Sequence, residues 1–562
     1  MHHNLTLRSK IIIMLSVMAS LFLVALDQTI IATALGRIVE DFNAFDSLSW
    51  IVTAYLLTTT ITVPIAGKLS DLFGRRIMLL IGVTIFGLGS LFSGLAGNIE
   101  ALVIWRAIQG IGGGIITANA FTIIGDLFAA RERSRWQGFF GAVFGLASLV
   151  GPLLGGWLTE GHTLLGATTD WRWTFWINVP VAIIVFVVIA GICPQLKHDK
   201  KPVVDYLGAV LLAVALGTLV LAVDNTENIF AGLLSGTGWS IEMLRTVMFG
   251  IVIAATVAFI RVERKAHEPI IPLRFFDNRN FVLIIGIATL FGAAFIGSIL
   301  YLTQFNQQVF GASPTESGLM LLPMIGGLMV SSITSGQIIA RTGRYKAFMQ
   351  IGIVLATAMI GLLATLNPES PYVYEAVIMV VLGAGLGIVM PVMTLAVQNE
   401  FEQHDLGVAT SSSQLFRSLG STVGIAIFGA VLTTSVTGSL TDIQDSPYLQ
   451  TLQQSSATRG VGNLDDYNTL LNLNMPDTKG KITESFQQSI AELPQTQHQQ
   501  LTNRFDQQQS EYANEITLAF SDGLQRIFLT STVLMTVATV LVFSLRERTL
   551  KSASPDKTPG LA

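Results

Sequence analysis

The chain has 562 residues, of which 51% are apolar and only 12% are charged, whereas soluble domains carry roughly a quarter of charged residues. This composition indicates a protein that lies mostly in a lipid bilayer. The net charge of −4 is too small to indicate nucleic acid or an acidic partner, and the single cysteine, Cys193, excludes an intrachain disulfide and a cysteine-based metal cage. The seven histidines are scattered, mostly over loops and tails, which argues against a histidine metal site.

Apolar runs of about twenty residues mark membrane-spanning helices, and about fourteen such runs occur in the chain. In chain order the predicted spans are 11–35, 48–66, 78–97, 100–127, 135–159, 173–193, 204–223, 243–260, 281–303, 317–340, 347–366, 372–398, 410–435 and 524–544. No small-residue cleavage site follows the first run. We therefore expect a retained membrane helix rather than a removed signal peptide.

Lys and Arg set the orientation of a membrane protein because they are enriched in cytoplasmic loops. With the N-terminal segment 1–10 inside, nearly all of them fall on the cytoplasmic side, and the short outer loops hold only Arg37 and Arg172. This pattern predicts a multi-pass protein of the cell membrane (the bacterial inner, or cytoplasmic, membrane). Both termini, including the tail 545–562, are expected in the cytoplasm.

The first span carries one acid, Asp27, in the otherwise apolar run "LFLVALDQTIIATAL". A charge inside a bilayer costs at least a few kcal/mol and usually pairs or lines a cavity. Asp27 lies roughly 25 Å along a helix from Lys10, in the outer half of the membrane. Arg106 enters span four from the outer face and reaches a similar depth, so an ion pair between the two is geometrically possible. Gln109, one turn further, either joins this network or fills the interface.

Two interpretations of Asp27 follow from the residues. Burial favours the neutral acid and a nearby Arg favours the charged acid, so a balance of the two would allow proton binding in one conformation and release in another. Such an exchange is what coupling to a proton gradient requires. The alternative is a permanent salt bridge that only pins span one to span four.

Two loops repeat a pattern: "GKLSDLFGRR" (67–76) follows span two, and "GQIIARTGRYK" (336–346) follows span ten. Both have Gly, six residues and then Gly-Arg, which indicates two related bundles of the kind that secondary transporters rock about a central site. We predict an N-terminal six-helix bundle over 11–195, two inserted linker helices over 196–265 and a C-terminal six-helix bundle over 266–544.

The first of these loops is predicted to form a conformational latch, because its glycines allow close approach of the chain. Asp126 is the nearest carboxylate at the same depth, and we hypothesise that Arg75 or Arg76 pairs with it when the inner gate is shut. The alternative is that the basic residues only orient the helices. The second loop has Ala340 where the first has Asp71, so its gating contact is expected to be degenerate.

Span five is rich in glycine and contains Pro152, which can kink a helix. Small residues at four-residue spacing allow close helix contact, and the predicted thin side comprises Gly141, Gly145, Gly151, Gly155 and Gly156. A thin, bent helix between two bundles can seal or rock. Ordinary close packing is the alternative.

Four motifs together resemble the major facilitator superfamily, and within it the fourteen-helix drug:proton antiporter branch. They are "LDQTIIATAL" (26–35), "GKLSDLFGRR" (67–76), "RAIQGIGGG" (106–114) and "GLASLVGPLLGGWL" (145–158), to which "WRWTFWINVP" (171–180) can be added. The resemblance covers nearly the whole chain except 437–523 and the C-terminal tail. The first motif departs from the family pattern in having Gly36 where Pro often follows the final Leu.

The resemblance implies an all-α polytopic membrane protein built of two six-helix bundles with two extra helices inserted between them. It implies proton coupling by Asp27 and Arg106, with no cofactor beyond the proton gradient. It also implies a gating motif and an antiporter motif in the first half. Their residues are Gly67, Asp71, Gly74, Arg75 and Arg76 for the gate, to which the hypothesis above adds Asp126, and Gly145, Gly151, Pro152, Gly155 and Gly156 for the antiporter motif.

The substrate is predicted from what the membrane interior contains. Carboxylates other than Asp27 are few there, and Arg417 in span thirteen is either a second cation in the core or, as we favour, a residue that snorkels near the cytoplasmic end. Little negative charge suits lipophilic, neutral or singly cationic compounds. The 32 Phe and 16 Met residues favour an adaptable apolar pocket.

Residues 437–523 form a long polar loop that faces outward on this topology. A Gln-rich stretch such as "QTQHQQLTNRFDQQQSEY" is typical of a disordered tether. Apolar residues at helical spacing, among them Ile482, Phe486 and Ile490, favour helical arms that extend the flanking spans.

The predicted function is proton-driven export of hydrophobic drugs or toxic compounds by alternating access, with a small-molecule or lipid-like substrate, protons and the bilayer as partners and a monomer as the working unit. Alternatives are the same fold exporting a lipid, siderophore or metabolite, an importer, and a non-transporting sensor. No G-x-S-x-G elbow, H-E-x-x-H pair or P-loop occurs, which argues against an enzyme and against ATP hydrolysis by this chain.

Overall fold

The computed structural model describes residues 6–42, 48–164, 166–193, 203–223, 226–312, 314–443, 446–454, 470, 473, 476–491 and 494–550. Within these residues, 14 helices are long and apolar enough to cross a membrane, which confirms the predicted number. Helices are the expected elements because lipid cannot satisfy backbone N–H and C=O groups, so each span must satisfy its own.

The first seven helices form the N-terminal half. They are α1 (Leu7–Phe42), α2 (Leu48–Phe73), α3 (Arg75–Gly94), α4 (Ile99–Leu127), α5 (Ala130–Thr159), α6 (Trp173–Trp176) and α7 (Asn178–Ile192), of which α6 and α7 together make one span. Phe86, Phe121 and Phe140 lie in the apolar cluster that joins them. A two-stranded hairpin, β1 (Thr163–Leu164) and β2 (Ala167–Thr168), lies between α5 and α6 and is an addition to the predicted all-α fold.

A second group of helices forms the C-terminal half, around a separate apolar cluster. These are α12 (Arg279–Gln308), α13 (Pro314–Met320), α14 (Leu322–Thr342), α15 (Lys346–Leu363), α16 (Tyr372–Glu400) and α17 (Leu406–Ile443), with the last span, α20 (Gln495–Phe543). Between the halves in sequence come α8 (Tyr206–Val223), α9 (Thr226–Ile229), α10 (Ala231–Thr237) and α11 (Ile241–Glu263), of which α8 and α11 span the membrane and pack against each other. Short 3₁₀ turns, Leu273–Asp277 and Gln403–Asp405, precede α12 and α17.

Several helices are longer than predicted, most of all those that flank the region 437–523. α17 continues to Ile443, and α20 has 49 residues, which is roughly 70 Å and more than twice the thickness of the hydrocarbon layer. Two short helices, α18 (Pro447–Gln454) and α19 (Pro476–Ser489), pack against this extension. The helical arms are therefore confirmed for the described part of the region, and 444–445, 455–469, 471–472, 474–475 and 492–493 lie outside the described residues.

Aromatic side chains hold this extramembrane part together. The rings of Phe486 and Phe505 stack with centroids 4.0 Å apart, and those of Tyr448 and Tyr512 lie 5.1 Å apart. All four residues are buried. The described helices of this extension thus form a packed unit.

Both ends of the described chain lie at the same end of the helix bundle, which we call the terminal face. Lys10 Nζ lies 5.6 Å from the ring centroid of Phe128, and Arg131 nearby donates from Nε to Leu550 O over 3.3 Å. Residues 551–562 of the predicted tail lie outside the described residues.

The two halves meet close to the terminal face. Ser134 Oγ donates to Gly336 O over 3.1 Å, and Ser332 Oγ donates to Gly138 O over 2.8 Å, so α5 and α14 touch backbone to backbone. A Cβ on either glycine would overlap the backbone of the other helix. The space between the halves is therefore closed at this face.

Candidate transport site

Asp27 lies in the N-terminal half where α1, α4 and α7 converge, and its side chain is 1% exposed. Its Oδ2 lies 2.5 Å from Arg106 Nη1, and its Oδ1 accepts from Gln109 Nε2 at 2.8 Å and from Asn178 Nδ2 at 3.2 Å. Three donors, one of them cationic, surround the carboxylate. An ionised carboxylate accepts only, so this arrangement fits the deprotonated acid.

Arg106 has further partners that do not depend on Asp27. Its Nη1 also donates to Gln109 Oε1 at 2.8 Å, and its Nε donates to Ile51 O at 3.3 Å. The guanidinium lies 4.3 Å from the ring centroid of Tyr55 and 5.7 Å from that of Phe175, within the range of cation–π attraction. Arg106 therefore keeps favourable contacts when Asp27 is neutral.

Asn178 is a member of this cluster that the sequence reasoning missed. It begins α7, and besides Asp27 its amide donates to Ser90 Oγ at 3.0 Å, while Ser90 Oγ donates to Phe175 O at 2.8 Å. A signal was available, because Asn178 is a polar residue at the start of the apolar sixth span. Its partner lies 151 residues earlier in the chain, beyond the reach of local patterns.

A second charged cluster lies at the terminal face in the turn between α2 and α3. Gly74 has φ 96°, a conformation that favours glycine, and it directs the next residue, Arg75, inward. Arg75 is 1% exposed, and its Nε lies 2.9 Å from Asp126 Oδ2. Its other nitrogens bind Asp71 and Ser70.

The acids of this cluster also bind the C-terminal half. Asp71 Oδ2 accepts from Val408 N at 3.0 Å, in the first turn of α17, where negative charge is favourable. Asp126 Oδ1 accepts from Gln403 Nε2 at 3.4 Å. Gly67 leaves room for α17, since a Cβ there would overlap Ser411. These contacts join the two halves in the closed arrangement.

Of the two arginines considered for the latch, the structure places only Arg75 on Asp126. Arg76 points to the other side of the turn and donates to Ala190 O, at the end of α7. The sequence reasoning also missed Val408, which lies 337 residues beyond Asp71.

The corresponding turn in the C-terminal half is built differently. Arg344 is exposed, whereas the buried acid there, Glu400, accepts from Asn280 Nδ2 at 2.8 Å and from Asn278 Nδ2 at 3.0 Å. Arg548 of the tail completes its surroundings with a distance of 3.2 Å from Nη1 to Glu400 Oε2. Arg548 therefore provides the cation beside the acid of the second half, as Arg75 does beside Asp126 in the first half.

The glycines of α5 lie on two sides of the helix, so the prediction of one thin side is wrong. Gly141 and Gly145 face α14, where a Cβ would meet Ser332 or Met329. Gly151 and Gly155 face α1, where a Cβ would overlap Thr29 or Thr33, and Thr29 Oγ1 also donates to Ala147 O at 3.0 Å.

The other two residues of the antiporter motif, Pro152 and Gly156, differ from these four glycines. A Cβ on Gly156 would meet no atom within 4 Å, so Gly156 lies on neither packed side. Pro152 is part-buried within α5, and the helix continues through it to Thr159.

A narrow cavity lies between the halves, and Arg417 lines it. α17 begins at Leu406, so Arg417 is about 16 Å into the helix, and it falls near the middle of the candidate span Gln403–Leu432. Arg417 therefore lies further along its helix than the predicted span 410–435 placed it, because the helix starts earlier than its apolar run. The lining comes from both halves: Phe121, Gln137, Phe140, Gly141 and Phe144 from the first, and Met390, Pro391, Met393, Thr394, Ser413, Gln414 and Arg417 from the second.

Gln398 closes this cavity toward the terminal face. Its Nε2 donates to Phe121 O at 2.9 Å, and its Oε1 accepts from Gln137 Nε2 at 2.9 Å, which links the two halves. Among the described residues, no group of three or more His, Cys, Asp or Glu side chains could hold a metal ion.

Comparison with known proteins agrees with this architecture. Residues 17–425 match the family model of the Major Facilitator Superfamily. The chain is 37% identical over 484 residues to the multidrug transporter protein MdtP of Bacillus subtilis, covering 85% of this chain and 86% of that protein. It is 36% identical over 432 residues to multidrug resistance protein 3 of the same organism, covering 76% of this chain and 81% of that protein.

The fold is also similar to that of solved structures. The proton:xylose symporter XylE superposes with a TM-score of 0.55 at 17% identity, covering 76% of this chain and 89% of that chain. The human organic anion transporter MFSD10 gives a TM-score of 0.55 at 16% identity, covering 75% of this chain and 93% of that chain. At these identities the likeness concerns the fold alone.

Proposed function

The chain belongs to the major facilitator superfamily and is a transporter rather than an enzyme, and from this premise we propose that it is a proton-coupled exporter of hydrophobic compounds that works by alternating access. The observation that carries the proposal is the buried Asp27–Arg106 pair. A buried ion pair contributes little net stability compared with apolar packing, so its presence in the membrane calls for a functional reason.

We place the terminal face in the cytoplasm, because Lys and Arg concentrate in the loops at that face. With this orientation the closed arrangement keeps the cavity shut toward the cytoplasm. Arg75, Asp71 and Asp126 act as the inner latch in this scheme, and the N-terminus of α17 is its counterpart.

The proton step follows from the partners of Asp27. A proton that arrives from the outer side neutralises the carboxylate and removes its attraction for Arg106, which stays bound to Gln109, Ile51 O and the Tyr55 ring. α1 is then free to shift against α5, because Gly151 and Gly155 have no side chains that would interlock with α1. When the latch opens inward, Asp27 loses its proton to the cytoplasm and pairs with Arg106 again.

The test uses the purified full chain in liposomes with an imposed pH gradient and three lipophilic dyes, one neutral, one singly cationic and one carboxylate. We expect gradient-driven efflux of at least one dye by the wild type. Asp27→Asn should abolish it, because the neutral amide cannot exchange a proton. The matched control is Asp170→Asn, a half-buried acid outside the Asp27 cluster that pairs with Arg172, and it should transport as the wild type does. Equal efflux with and without the gradient, or full efflux by Asp27→Asn, would contradict the coupling.

A further inference from the structure

Arg417 is a second intramembrane charge that the proton step does not use. Arg417 lines the cavity between the halves, and its side chain has no hydrogen bond or ion pair with any described residue. Charged side chains at this depth normally pair, because an isolated charge in the membrane interior is costly. An unpaired arginine that faces a cavity therefore indicates that its partner is a ligand.

Two glutamines that line the same cavity also have unpaired polar atoms. Gln414 precedes it by three residues on α17 and so lies on the same side of the helix, and both its amide oxygen and its amide nitrogen are buried without a partner. Gln137, across the cavity on α5, has an unpaired Oε1. Most buried polar side-chain atoms are hydrogen-bonded. The unpaired atoms of this cluster are therefore available for hydrogen bonds to the polar atoms of a ligand.

The donors in the cluster define the chemistry of those atoms. A guanidinium offers five N–H groups in a planar fork that matches carboxylate and phosphate oxygens, and the Gln414 amide adds two more donors. No carboxylate lines the cavity. A cationic compound would meet only repulsion from Arg417, whereas an oxyanion would form charge-assisted hydrogen bonds.

The rest of the lining is mainly apolar. Phe121, Phe140 and Phe144 contribute aromatic rings, and Met390 and Met393 contribute flexible side chains that adapt to different shapes. We propose that Arg417 and Gln414 form a subsite for the single oxyanion, a carboxylate or phosphate, of an amphiphilic substrate whose apolar part lies against these rings. The inference rests on the proposed function, since it names the substrate class of the same cavity.

Charge balance adds a second expectation. Export of an anion and entry of a proton move charge in the same direction across the membrane. An inside-negative potential therefore drives both, and export of an acid should accelerate when that potential is imposed.

Binding is measured with the full chain in phosphatidylcholine nanodiscs, with no gradient, using 11-(dansylamino)undecanoic acid and its methyl ester as fluorescent probes. We expect the wild type to bind the acid at least tenfold more tightly than the ester. Arg417→Gln should bring the two affinities together, and Arg417→Lys should retain part of the preference. Arg344→Gln, which removes an exposed arginine at the terminal face, is the matched control and should behave as the wild type.

A thermal unfolding midpoint for each variant shows whether it is folded, and Gln414→Leu provides a second route should Arg417→Gln fail to fold. It should lower affinity for the acid several-fold and leave the ester unchanged. Equal affinities for acid and ester in the wild type, or equal losses for both probes in the variants, would overturn the subsite. Asp27→Asn should keep the preference for the acid, so failure of proton coupling and failure of the subsite give different results.

Phosphatidylglycerol distinguishes the source of the oxyanion. Displacement of the acid probe when phosphatidylglycerol is added to the nanodiscs of the wild type, but not of Arg417→Gln, assigns the subsite to lipid headgroups. Binding of the acid probe that is unaffected by phosphatidylglycerol assigns it to free amphiphilic acids.

Discussion

The two halves of the molecule repeat an arrangement of helices but treat their charges differently. In the N-terminal half, Asp27 binds Arg106 inside the bundle, and Arg75 binds Asp71 and Asp126 at the terminal face, so each of these buried charges has an opposite charge beside it. In the C-terminal half, Arg417 faces the cavity alone. A shared architecture therefore does not require shared chemistry.

The difference separates two tasks. Paired charges can switch between defined states, because removing one charge releases the other. An unpaired charge in an apolar cavity can instead form an ion pair with a charged ligand. We infer that the N-terminal half carries coupling and gating, and that the C-terminal half carries substrate recognition.

The largest expected effect comes from removing the arginine of the buried charged cluster at the terminal face. Arg75→Met leaves Asp71 and Asp126 buried next to each other without a cation, and removal of one partner of a buried pair costs about 3–5 kcal/mol. We expect a lower thermal unfolding midpoint in detergent and loss of transport. The corresponding change in the other half, Arg344→Met, removes an exposed side chain and should alter stability by less than about 0.5 kcal/mol. Similar losses in the two variants would show that the halves do not differ in this way.

The second effect concerns the contact between α1 and α5. Gly151→Leu places a side chain against Thr29 and the backbone of Ile30, close to Asp27, and overpacking of this kind costs about 1–3 kcal/mol. We expect normal expression with impaired gradient-driven efflux. Gly156→Leu is the matched control, since a Cβ there meets no atom within 4 Å, and it should transport normally. Efflux that is impaired equally by both changes would point to a general effect on the helix.

Much of this comparison could be predicted from the sequence, and the limit has a physical origin. Counting residues along a helix gives depth, so Asp27 and Arg106 could be placed at one level before their contact was known. The helical register of a residue relative to its neighbours decides which side it faces. Gly145 and Gly151 are six residues apart, or about 240° around a helix, so their opposite packing was available in the sequence and was overlooked.

Other contacts could not be obtained in this way. Asn178 meets Asp27, and Val408 meets Asp71, only because separate helices pack side by side. Arg417 lies further along its helix than predicted, because the helix starts four residues before the predicted span. Local patterns specify the length and depth of a helix, whereas neighbours are specified by the packing of the whole bundle.

A smaller effect is expected from Asn178→Leu, which removes one of the three donors to Asp27 while leaving the ion pair with Arg106. The loss of one hydrogen bond to a charged group corresponds to about 1.5–3 kcal/mol. We expect efflux to slow several-fold, in contrast to its abolition in Asp27→Asn, when both are measured under the same pH gradient. Asn178→Ser keeps a polar donor and should recover part of the rate. Wild-type efflux by Asn178→Leu would show that the hydrogen bond from Asn178 to Asp27 does not contribute to coupling.

The smallest effect should come from Cys193, which is buried just after α7 at the terminal face. Burial raises the pKa of its thiol to about 11, so at neutral pH it remains protonated and reacts slowly with maleimides. We expect no labelling of the native wild type within the time that labels an unfolded sample, and unchanged transport in Cys193→Ser. Because the native cysteine reacts only slowly with maleimides, labelling of a cysteine introduced at Ser148, an exposed position on α5, can report access to the helix from either side. Rapid labelling of native Cys193 would show instead that the end of α7 opens, and that the N-terminal half is less tightly closed than its paired charges indicate.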